Sequence, residues 1–238
     1  MKNFKSIKFY NQYAPFYNRY AYVRRMYHNS IDKLIIQHVA KKHSMIDIGS
    51  ADGVRTTRLA KELKINELYF VDSSPGMHKL YLFRFKNSYL ADISKERFVI
   101  NRKFDVVTCL ENVFGHMEDK ESVITSLNNI KKLVNDNGDI FLDVHNRYNY
   151  KNYGILNVIK NIIKDLFGYR WKNGNFNIKV EYENNEIKGE VHIFNPIEFI
   201  LILKKVGIKI NKIYFVDYNT GLISKNPFKG QMFLKLDK

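Results

Sequence analysis

The 238-residue chain predicts an α/β fold: a doubly wound, seven-stranded sheet, mostly parallel, with an antiparallel last strand. Three observations predict it. From residue 30 to 146, short apolar runs alternate with amphipathic segments of helical period, the pattern of a parallel sheet covered on both faces. One run, "MIDIGSADGVRTTRLA" at 45–60, passes from an aspartate-ended strand through a glycine turn directly into a helix. The alternation breaks after Asn146 and resumes near 195, as though a segment were inserted into the sheet domain.

Residues 1–29 carry aromatics at close to helical spacing (Phe4, Tyr10, Tyr13, Phe16, Tyr17, Tyr20, Tyr22, Tyr27) and read as an N-terminal helical lid. Residues 30–42 form an amphipathic helix with Ser30 as its expected N-cap. "SMIDIGS" is a buried strand and "VRTTRLAKELK" a helix; "ELYFVDSS" is a strand and "PGMHKLYLFRFK" a helix opened by Pro75. "NSYLADIS" and "FDVVTCLEN" are strands, followed by a helix capped by Asp119, a turn at Asn137-Gly138 and the strand "DIFLDVHN". The core thus comprises 30–146 and 195–238, and the cap insert 147–194. The insert holds a helix ended by Gly168 and a hairpin turning around Asn184-Asn185. The core resumes with a helix capped by Asn195, with Pro196 at its first position and Gly207 at its close, then two further strands.

Composition narrows the class. Hydrophobic residues make up 45% of the chain, enough for a sizeable core, and no apolar run reaches the ~18 residues that span a bilayer. The single cysteine, Cys109, excludes an internal disulfide framework and reads as a core residue. "MKNFKSIKFYNQY" lacks the apolar stretch and cleavage site of a signal peptide, so a cytoplasmic location is expected. The net charge of +15 raises nucleic acid as a partner, but the basic residues are dispersed and their runs no longer than pairs. The hairpin's Glu181, Glu183, Glu186 and Glu190 would repel phosphates approaching the cap.

In an open parallel sheet, ligands bind outside the carboxyl ends of the strands. Gly49 and Gly53 strip side chains from the turn after the first strand, or supply positive φ there. A dinucleotide fingerprint would need a further glycine at Thr56, and a phosphate-gripping lysine is missing. The acid Asp47 beside the turn would repel a pyrophosphate and attract an ammonium group. Asp72 ends the second strand, about 20 residues on, where a carboxylate takes ribose hydroxyls. Asp92 closes the third. Each alone could be a turn former; at three consecutive strand ends they describe a cationic, nucleoside-like ligand without phosphates.

The succession Asp47-x-Gly49-x-Ala51-x-Gly53, Asp72 and Asp92 resembles the class I S-adenosylmethionine-dependent methyltransferases, with their Rossmann-like sheet. The segment from Phe104 to Asn146 resembles their small-molecule branch, which includes the glycine/sarcosine and quinone-biosynthesis enzymes; Ala51 stands where the family's middle glycine does. The resemblance implies S-adenosyl-L-methionine as cofactor. It implies Asp47 near the amino end, Gly49, Ser50, Ala51 and Gly53 beneath the methionine moiety, and Asp72 on the ribose. Ser73 and Met77 would border the adenine, Asp92 and the Ile93 amide would meet its amine, and Leu110, Glu111 and Asn112 would pass the sulfonium. Arg24 or Arg25 would pair with the cofactor carboxylate, and Tyr13, Tyr17 and Tyr20 would close over the site.

For the acceptor, His116 and His145 sit where a general base could, although each could equally be a packing residue. Tyr169 and Trp171 could line the acceptor pocket or pack in the core. Neither His116 nor His145 shows metal-ligand spacing. The proline-containing loop of exocyclic-amine base methylation is absent at Glu111–Phe114, and Cys109 follows Thr108 rather than a proline. The expected function is methyl transfer to oxygen or nitrogen of a small molecule. An RNA methyltransferase, or a non-catalytic partner subunit, is the alternative.

Overall fold

The computed structural model describes residues 5–81, 87–168, 170–182 and 185–238. Helices α1 (Lys5–Tyr13), α2 (Tyr17–Val23) and α3 (Arg25–His38) open the chain. A 3-10 turn with Pro15 at its second position separates the first two. The helix expected to start at Ser30 begins five residues earlier. Tyr27, His28 and Ile31 share the buried face of Leu34 and Ile35, so burial overrides the capping preference of Ser30.

Strand β1 (Ser44–Ile48) leads into α4 (Val54–Leu63), β2 (Glu67–Asp72) into α5 (Pro75–Tyr81), and β3 (Ser88–Leu90) follows. Strand β4 (Phe104–Cys109), α6 (Lys120–Leu133) and β5 (Val134–Val144) complete the alternating part. Asp119 caps α6 by accepting from the Ser122 amide. The turn expected at Asn137-Gly138 does not form, because β5 runs straight through it with a register shift against β4. A Cβ at Gly138 would lie 2.9 Å from the Asp105 carbonyl oxygen, so glycine there serves close strand approach.

Helices α7 (Tyr150–Tyr153) and α8 (Ile155–Gly168) precede the hairpin of β6 (Asn175–Tyr182) and β7 (Asn185–His192). Helix α9 (Pro196–Val206) has the full capping box between Asn195 and Glu198 and closes at Gly207 with φ +72°. Strands β8 (Lys209–Val216), β9 (Ile223–Ser224) and β10 (Gln231–Asp237) end the chain. Phe4, Tyr169, Glu183, Asn184 and the expected helical stretch 82–86 lie outside the described residues.

The main sheet has eight strands rather than seven, in the order β3-β2-β1-β4-β5-β10-β8-β9. The extra one, β9, is two residues paired on the edge of β8, too short for any alternation to announce it. Strands β1 to β5 pair in parallel, and β10 runs antiparallel to both β5 and β8. One apolar layer packs α6 and α9 on the sheet through Val123, Leu127, Phe199 and Ile202, with Cys109 buried in it. The other packs α3 and α4 through Ile31, Ile35 and Leu59. Strand order reverses between β1 and β4, opening the crevice at their carboxyl ends. Over it, α1 joins α5 and β7 in a third cluster containing Phe9, Tyr13, Met77 and Ile187.

Candidate active site

Three left-handed residues, Gly49 (φ +75°), Ala51 (+51°) and Gly53 (+69°), coil the turn after β1. The amides of Gly49 and Ser50 both donate to the Val71 carbonyl, 2.8 and 3.1 Å away, tying the turn to β2. A Cβ at Gly49 would collide with Val113. The Ala51 amide donates to the Asp72 carboxylate at 3.0 Å, and the Ser74 amide to its other oxygen at 2.8 Å. Burial pushes Asp72 up to about 6, against the lowering effect of those amides.

Asp72 faces a cavity of about 440 Å³, a size suited to a ligand of nucleoside dimensions. The cavity gathers Gly49, Ala51, Ser73, Met77, Asp92, Ile93, Leu110, Glu111, Tyr13, Tyr17, Arg24, His116 and His145 as well. Asp92 is held by the amide and hydroxyl of Ser94. Arg24 donates to Glu111 at 3.0 Å and lies 4.4 Å over the Tyr218 ring. Although buried, Glu111 is held well below the usual carboxylate range by the hydrogen bond from His28, with Arg24 and Arg55.

Five of the residues expected at the cofactor stand outside this cavity. The Asp47 carboxylate accepts hydroxyls from Thr56 and, at 2.6 Å, from Thr108, the register partner of Asp47 on β4. It borders a smaller neighbouring cavity of about 300 Å³ with Ser50 and Arg25. Arg25 packs on Tyr22, one residue on from the inward-facing Arg24. Gly53 starts α4. Asn112 is fully buried; its amide donates to Asp143, and its side-chain oxygen accepts from the His145 amide at 2.8 Å, fixing the strand end that carries His145.

Burial, then Arg24, drives His145 down to about 3, so its imidazole is neutral. Its Nε2 is buried and has no hydrogen-bond partner among the described residues, and the same holds for the Tyr218 hydroxyl. The two rings meet edge to face at 5.5 Å. His116 is lowered to about 4 by burial and Arg24, and its Nε2 is 2.9 Å from the Tyr10 hydroxyl. Trp171 is absent from the wall and stacks on His192 at 3.7 Å. Tyr10, Tyr153 and Tyr218 also line the wall, where no expectation from the sequence had placed them. Tyr218 carries the same strand-end signal that marked His145.

The donor set fits a nucleoside bearing positive charge. A buried carboxylate faces the wall where ribose hydroxyls would donate, Met77 and Ile93 offer apolar faces for a flat base, and Asp92 accepts at the rim. Residues 46–140 match a family model described as a methyltransferase domain. No curated protein matches the chain. It is similar in fold to an S-adenosylmethionine-dependent methyltransferase from Clostridium acetobutylicum ATCC 824, at 16% identity and TM-score 0.64, covering 93% of this chain and 98% of that one. DhpI in its SAM–HEP complex aligns at 12% identity and TM-score 0.67 over 98% and 96%. The sugar N-methyltransferase KedS8 from Streptoalloteichus sp ATCC 53650 aligns at 12% and 0.60 over 93% of each chain.

Proposed function

We propose that this chain, whose residues 46–140 match a methyltransferase-domain model, moves a methyl group from S-adenosylmethionine to oxygen or nitrogen of a small molecule. The observation that carries this is a single cavity with Asp72 in one part of its wall and the unpartnered His145 Nε2 and Tyr218 hydroxyl elsewhere in it. The cofactor, when bound, supplies a methyl group already activated on a sulfonium. Asp72 would hold the ribose hydroxyls, and Met77 and Ile93 the adenine.

What remains for the protein is placement and the removal of one proton. The apolar side chains of Phe9, Ile178, Val180 and Val191 line the same cavity and would lower its water content around a bound acceptor. We take α1 and α2 (within residues 1–29) and the segment 147–194 as the cap that selects the acceptor. A neutral His145 accepts a hydrogen bond at Nε2 and so orients an uncharged hydroxyl or amine. That proton becomes far more acidic as the new bond forms, so even an imidazole with a pKa of about 3 can take it. His145→Leu is expected to lower kcat by about 100-fold while leaving the dissociation constant for S-adenosylhomocysteine within twofold. Equal losses in both would make His145 a cofactor-binding residue instead.

Asp72 adds a pH dependence. Hydroxyl donors require the carboxylate, and the free site holds its proton below about 6. Binding below that pH must release a proton, so affinity falls up to tenfold per pH unit on acidification and levels off above 7. Calorimetric titration of S-adenosylhomocysteine across pH 5–8 checks this, and a flat profile contradicts it.

RNA is the competing acceptor because of the +15 charge. The hairpin's acids do not decide the matter, since Glu181 and Glu186 pair with Lys179, and Glu186 also with Lys188. Labelled cofactor incubated with a metabolite extract and with total RNA separates the two. Transfer to RNA, with binding that weakens steeply in salt, would reject the small-molecule reading.

A further inference from the structure

Helix α8 carries a broad apolar face that nothing in the fold covers. At 100° per residue, Ile155, Leu156, Ile159, Ile163, Leu166 and Phe167 fall within one arc of about 120°, and the stripe runs about 18 Å along the axis. All six are exposed; Leu156, Leu166 and Phe167 are 80%, 77% and 88% accessible. The helix is anchored on its other side. Val158 is buried, Asn161 donates to the Arg147 carbonyl, and Asp165 is clamped by the Arg147 guanidinium. The apolar stripe is therefore held outward and cannot turn into the core without breaking that clamp.

The charges beside the stripe select its occupant. Lys160 and Lys164 follow one border, and Arg170 and Lys172 come just after the helix. The one acid of α8, Asp165, is turned inward and neutralised by Arg147. A second copy docked face to face would bring these lysines together, on two bodies of charge +15 each. Anionic headgroups meet the same lysines with attraction. Among the described residues no helix is long and apolar enough to cross a membrane, so the helix would lie in the interface plane.

We infer that α8 docks this chain on an anionic lipid surface, its apolar stripe set into the headgroup–acyl boundary with the lysines along its one border at the headgroups. Asn152 and Tyr153, immediately before α8, line the cavity. The inference rests on the helix alone and stands whether or not the cavity performs methyl transfer.

Sedimentation of the full chain with vesicles tests it, using phosphatidylcholine alone and phosphatidylcholine with about one quarter phosphatidylglycerol. Binding to the anionic vesicles only is expected. The triple variant Leu156→Ser, Leu166→Ser, Phe167→Ser should reduce it at least tenfold with an unchanged melting temperature, because all three side chains face solvent. Lys160→Glu with Lys164→Glu should remove the preference for anionic lipid. Failure of the native chain to sediment with anionic vesicles, or equal sedimentation of the triple variant, overturns the inference. So does a dimer in solution that the triple variant dissociates, which would assign the face to a second copy.

Discussion

Asp72→Ala is expected to weaken S-adenosylhomocysteine binding by more than tenfold. Two donors on the ribose would lose a charged acceptor, at roughly 1.5–3 kcal/mol per charge-assisted bond, and about 1.4 kcal/mol is a factor of ten. The structure adds a second loss. The same carboxylate accepts the amides of Ala51 and Ser74, so the alanine variant leaves a buried amide at the coiled turn without a partner. Asp72→Asn separates the two effects, since its amide oxygen can still accept from one of those backbone groups while the charge is gone. The stability trend runs the other way. The folded pKa of about 6 lies above the unfolded value near ~3.9, so ionised Asp72 opposes folding. The ligand-free protein therefore gains stability from this group as pH falls from about 6 towards 4, and Asp72→Asn should flatten that gain. Calorimetric titration and pH-dependent melting read the two quantities separately. An unchanged dissociation constant in both variants would make Asp72 a turn residue only.

Much of this site was legible because strand ends can be read from sequence, and α/β sheets bind at strand ends. Asp72, Asp92 and His145 were found that way, and all line the cavity. Side-chain direction is less legible. Asp47 also belongs to a strand end, but its register partner Thr108 and the helical Thr56 capture its carboxylate behind the wall. Neither threonine carries a signal in the linear sequence. The choice between Arg24 and Arg25 is likewise settled by the break between α2 and α3, which falls at Arg24. Ser30 misled for the opposite reason: a good cap residue sits mid-helix because the apolar face extends past it to Tyr27. Asn112 was legible by position and invisible by role, and Tyr218 was not singled out at all, since what they do depends on which ring or amide the tertiary fold brings opposite them.

The least legible residue yields the largest expected loss of stability. In "DVHNRYNY" Arg147 follows the strand where the alternation breaks and looks like a surface loop residue. In the fold it is 1% exposed. Its Nη1 donates to Glu198 at 3.0 Å and to the Ile193 carbonyl at 2.9 Å, and its Nη2 donates to both Asp165 oxygens at 2.8 Å. Three segments distant in sequence, the end of the sheet, α8 and the start of α9, thus share one cation. Arg147→Met removes it and leaves two buried carboxylates facing each other, which is expected to destabilise the fold by about 3–5 kcal/mol, or roughly 6–20 °C in Tm for a chain of this length. The loss comes mainly from the stranded acids rather than from the ion pair itself, so the second change is the informative one. Arg147→Met with Asp165→Asn should be more stable than Arg147→Met alone, because it removes one of the uncompensated charges. Urea unfolding of the single and double variants decides it: a midpoint for Arg147→Met equal to that of the native chain, or a double variant weaker than the single, would mean that packing around the aliphatic stem, and not charge, holds α8 to the sheet.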